Sequence, residues 1–115
     1  MRRDLLEVLE NHLRTVKPEE FNLCGWAGCA IGHAATLPEF QAEGLVMEVR
    51  GMLKLEVPCR GEDRAWEAIR SLFGLSEDRR DVIYLFHADE YASGRKTTPT
   101  EVADRIRKFL DDHPE

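Results

Sequence analysis

Along residues 4–16 apolar side chains recur at Leu5, Leu6, Leu9, Leu13 and Val16 with Arg, Glu and Asn between them. That spacing predicts an amphipathic helix with one buried stripe, and Pro18 stops it. From Leu45 the period shortens. Leu45, Met47 and Val49 alternate with other residues, and Leu53, Leu55 and Val57 alternate with Lys54 and Glu56, which predicts two strands over 45–57 turning near Arg50-Gly51. Pro58-Cys59-Arg60-Gly61 should break the second strand. A lone hairpin is marginal in water, so one of its faces must lie on helices.

Helical spacing returns over 62–73, with Ala65, Trp66, Ile69, Leu72 and Phe73 on one side and Gly74 where a C-terminal cap belongs. Ser76-Glu77-Asp78 offers a capping hydroxyl and an acidic first turn to a helix that carries Val82, Ile83, Leu85 and Phe86 inward. Residues 88–96 read as a polar loop. Thr98-Pro99-Thr100-Glu101 then combines an N-cap, a proline at the first helical position and a capping box. Val102, Ile106, Phe109 and Leu110 face the core, and residues 111–115 read as a frayed acidic tail.

In residues 24–35, nine of twelve side chains are Gly, Ala or Cys. Glycine costs about 1 kcal/mol per helical position relative to alanine, so a helix here needs tertiary packing around it. The expectation is a buried helix over Gly25–Thr36. The predicted fold is α+β and mostly α, in one domain over 1–115. About five helices pack around this central small-residue helix, with one small hairpin at 45–57.

A chain of 115 residues buries about two-thirds of its surface on folding, so neither metal nor disulfide is required for stability. The 16 basic and 22 acidic residues leave a net charge of −6, which argues against a nucleic-acid or membrane-surface binder, since both rely on clustered Lys and Arg. The start Met1-Arg2-Arg3 runs into a charged amphipathic stretch rather than the apolar core of a signal peptide. The longest apolar run, residues 23–37, is short of a membrane span. Three cysteines, Cys24, Cys29 and Cys59, form an odd set that favours reduced thiols and a cytoplasmic location.

The chemistry-bearing residues concentrate in the same segment. Cys29 and His33 are four apart, Cys24 and Trp26 lie just before them, and Cys59 or His87 could complete a tetrahedral zinc set. The spacing matches no zinc finger, and zinc is therefore not the expected cofactor. A second reading makes Cys24 a thiolate at a helix N-terminus, or pairs Cys29 with His33 as nucleophile and base. The plainer reading has the glycines admitting a neighbouring helix, Cys29 acting as a small apolar side chain and His33 meeting a backbone carbonyl. Elsewhere Trp66 reads as core, and His87 as a loop anchor beside Asp89 and Glu90.

Cys24-Gly25-Trp26-Ala27-Gly28-Cys29-Ala30-Ile31-Gly32-His33-Ala34 resembles the C-G-x-x-x-C-x-x-G-x-A motif of a family of small uncharacterised bacterial proteins. Gly44-Leu45, Leu72-Phe73-Gly74-Leu75-Ser76, Leu85-Phe86 and the Thr98-Pro99 helix with Val102, Arg105-Ile106 and Phe109-Leu110 extend the likeness across residues 21–110. Trp26 stands where that family often has Thr. The resemblance implies a shared fold and assigns no activity.

The resulting expectation is a non-catalytic binding or protein-interaction module with no cofactor and a protein or small-molecule partner. Its alternative is a thiol- or zinc-dependent enzyme using Cys24, Cys29 and His33. The open edge of the hairpin adds homodimerisation, since an edge strand presents unpaired backbone groups.

Overall fold

The computed structural model describes residues 1–22, 29–52 and 55–114. Among them the chain forms six α-helices and a three-stranded antiparallel sheet of order β1-β2-β3. The helices are α1 (Arg3–Leu13), α2 (Ala30–Ala34), α3 (Pro38–Ala42), α4 (Ala65–Phe73), α5 (Arg80–Phe86) and α6 (Pro99–Asp112). The strands are β1 (Leu45–Arg50), β2 (Leu55–Arg60) and β3 (Asp63–Arg64). This is the α+β, mostly helical architecture that the periodicities predict.

The stripe of α1 is buried at Leu5, Leu6, Leu9 and Leu13, and it lies on Val102, Ala103, Ile106, Phe109 and Leu110 of α6 in one core. Across the seam runs a buried carboxylate. Glu10 accepts from Arg14 at 2.9 Å and from Nε and Nη2 of Arg107 at 3.1 and 2.7 Å. Burial pushes the Glu10 carboxyl up, but the hydrogen bonds from Arg107 and Arg14 outweigh it and hold the group below its ordinary value. On the other side of the core Phe40 meets Phe73 edge-on at 5.7 Å, and Phe73 stacks on Phe86 at 5.6 Å. This aromatic row ties α3, α4 and α5 together. The sheet rests on α4 through β2.

Several local features follow the sequence. Gly51 turns the hairpin at φ +73°, and Gly74 ends α4 in the left-handed region at φ +65°. Thr98 accepts from the Glu101 N–H at 3.2 Å with Pro99 at the first helical position.

Other features correct it. Pro58 does not break β2 but pairs with Met47 inside it, because β3 flanks only Cys59 and Arg60 and leaves the proline without a strand on that side. The helix expected from residue 62 begins at Ala65, since Asp63 and Arg64 form β3 behind the Gly61 turn. Ser76 does not cap α5. Its hydroxyl donates to Asp78 at 2.5 Å, and Asp78 accepts from the Arg80 N–H at 3.0 Å. Cys29 is extended at φ −90° and ψ −179°, so among the described residues the small-residue helix begins at Ala30 and ends at Ala34, while the part expected over 25–28 lies outside the described residues. The polar loop 88–96 contains two 3-10 turns around the buried Tyr91. Asp111 and Asp112 complete α6, where Arg3 donates to the Leu110 and His113 carbonyls at 3.1 and 2.6 Å. No helix among the described residues is long and apolar enough to cross a membrane.

Candidate functional site

Val8, His12 and Val16 follow one another at four-residue intervals along α1 and its continuation, on the flank of the buried stripe. The 3-10 turn Pro18–Glu20 then reverses the chain, so that Phe21 and α2 come back against α1. The result is a cluster of three rings. His12 and His33 lie 5.7 Å apart between centroids, tilted by 47°, and Phe21 stacks on His33 at 6.1 Å.

The two imidazoles differ in their hydrogen bonding. His33 Nε2 lies 3.2 Å from the Glu20 carbonyl oxygen. A carbonyl can only accept, so His33 carries its proton on Nε2. The predicted backbone-carbonyl partner of His33 is therefore present. His12 Nε2 is buried and has no hydrogen-bond partner among the described residues. Burial, reinforced by the neighbouring His33, pushes the His12 imidazole below its ordinary value.

Of the remaining candidates, Cys29 is the buried N-cap of α2, and its carbonyl accepts from the His33 N–H at 3.1 Å. Cys59 is buried in β2, on a different element, and its thiol donates to the Val57 carbonyl at 3.5 Å. Cys24 and Trp26 lie outside the described residues. Among the described residues no three His, Cys, Asp or Glu side chains form a group that could hold a metal ion. His87 accepts from the Asp89 N–H through Nδ1 at 3.1 Å and stacks on Trp66 at 5.7 Å, which is the loop-anchoring role read for it. His12 was not legible as a partner of His33, because the contact depends on how the chain returns after Pro18. Its place between Val8 and Val16 was the available signal.

Two further surfaces bear on function. A cleft of about 390 Å³ lies between Arg3, Ser76, Asp81 and His113, and neither Cys29 nor Cys59 lines it. The hairpin carries three of the exposed large apolar side chains, Val46 at 50%, Val49 at 62% and Met52 at 100% exposure. In the sheet order β1 is an edge strand. Comparison with family models, curated proteins and solved structures returns no match to the chain.

Proposed function

We propose that this chain is a non-catalytic protein-interaction module that takes an extended segment of another protein along the outer edge of β1. The observation that carries the reading is the concentration of exposed apolar side chains on the hairpin, at Val46, Val49 and Met52. Val46 and Val49 are separated by an odd number of positions and so project to opposite faces of the ribbon, offering an incoming strand apolar contact on both. An edge strand also offers a row of main-chain donors and acceptors, the basis of recognition by strand addition. Charge supports a partner other than a second copy. The chain carries a net charge of −6, and Val49 pairs in register with the exposed Glu56. A segment that alternates apolar with basic residues complements that edge, whereas two copies bring like charge together.

The test is a titration of isotope-labelled protein with an alternating valine–lysine hexapeptide, followed by amide chemical shifts. Saturable shifts concentrated in residues 45–50, abolished by Val46→Lys with Val49→Lys, are expected. No binding, or shifts that the double variant leaves in place, would overturn the reading. Light scattering on the unliganded protein provides a second arm. A dimer that the double variant dissociates would assign the edge to a second copy instead.

A further inference from the structure

We propose that the seam between α1 and α2 is an acid-responsive latch, in which protonation of His12 loosens α2 from α1 while the rest of the fold stays closed. The inference goes beyond the interaction reading and does not rest on it. Its foundation is the hydrogen bonding at one atom. A neutral imidazole can leave one nitrogen as a bare lone pair, so with its proton on Nδ1, His12 tolerates the buried Nε2. The protonated ring has no such choice. Both nitrogens then carry hydrogens, and Nε2–H must point into a site where the described residues supply no acceptor.

Among the described residues no acidic side chain acts on His12 to compensate the cation. Among the described residues, the ionisable side chain acting on His12 is His33, from α2, and a proton there adds like charge 5.7 Å away. Phe21 presents its ring to His33, and Glu20 contributes to the seam its main-chain carbonyl, already engaged by His33 Nε2. Burial further disfavours the charged form of His12. The element across the seam is poorly able to resist. α2 has five residues, too few to hold as a helix without packing. It can therefore separate from α1 before the long seam between α1 and α6 does.

The sign of the effect is fixed. A histidine whose folded value lies below its unfolded one takes up its proton more readily in the open state, so closure weakens as pH falls below the ordinary value of about 6.5. The experiment is hydrogen–deuterium exchange from about pH 7.5 to about pH 5, on either side of that value. Rates are corrected for intrinsic exchange, and residues 30–36 are compared with residues 99–112. A several-fold loss of protection in α2, with α6 unchanged, is expected of the natural chain. His12→Phe keeps a ring of similar size, cannot titrate, and should abolish the loss. If His12→Phe fails to fold, His12→Asn serves the same comparison. Equal loss in α2 and α6, no loss in α2, or the same loss in the substituted protein would each overturn the proposal.

Discussion

Tyr91 joins two elements through a single oxygen, and removing that oxygen tests how the C-terminal half is held. Its hydroxyl donates to the Leu85 carbonyl at 2.5 Å. That carbonyl belongs to the last turn of α5, whose acceptors have no partner in their own helix. Both residues are buried. Tyr91→Phe keeps the ring, which lies 3.9 Å from the Arg105 guanidinium carbon, and strands one buried acceptor at a cost of about 1–3 kcal/mol. For 115 residues the unfolding entropy is about 0.24 kcal/mol/K, so the midpoint of thermal unfolding should fall by about 4–12 °C. A second readout comes from pH. Burial pushes the Tyr91 phenol well above its ordinary value. The unfolded chain therefore releases this proton first, and the natural protein loses stability as pH rises past about 10. Tyr91→Phe should remove that part of the alkaline limb. Thermal unfolding followed by circular dichroism across neutral and alkaline pH measures both. A midpoint within about 1 °C of the natural protein, with an unchanged alkaline limb, would refute the argument.

Two further substitutions test other parts of the account. Glu10→Gln removes the charge that Arg14 and Arg107 share. It should cost about 1.5–3 kcal/mol at neutral pH, and because the folded carboxyl sits below its ordinary value, that contribution disappears as pH falls below about 4.5. Urea midpoints that differ by the same amount at neutral and strongly acid pH would contradict it. Ala65 opens α4 at φ +52°, a conformation that favours glycine. Ala65→Gly relieves about 1–2 kcal/mol of steric cost against about 0.5–1 of added chain entropy, and the urea midpoint should rise. A lower midpoint would show that Ala65 is unstrained.

Features that act within a few residues were legible in the chain. Thr98-Pro99 starts α6 because the cap and the fixed proline φ operate locally, and Gly74 and Gly51 appear where left-handed backbone is needed. What escaped depends on partners distant in sequence. β3 is two residues long and exists only because Gly61 folds Asp63 and Arg64 back onto Arg60 and Cys59. Pro58 looked like a breaker because its tolerance depends on where β3 ends. The candidate site divided in the same way. The carbonyl partner of His33 and the burial of Cys29 agree with the plainer reading of the small-residue segment. The convergence of His12 on His33 needed the reversal after Pro18. Cys59, placed beside Cys29 and His33 as a potential ligand, belongs to the sheet.

The Glu10–Arg107 contact bears on the order in which the molecule assembles. It joins residues 97 positions apart. Until α6 has been synthesised, Leu5, Leu6, Leu9 and Leu13 lack the longest of the surfaces they are buried against, others being α2, α3 and α4. α1 is thus synthesised well before the α6 surface it packs on, and part of its apolar stripe waits uncovered until residues 99–112 have emerged. Closing so long a loop adds little entropy beyond closing one of half the length, yet non-local closure slows folding and lengthens exposure to aggregation. Expression of this chain should therefore respond more to chaperone supply than its modest size suggests.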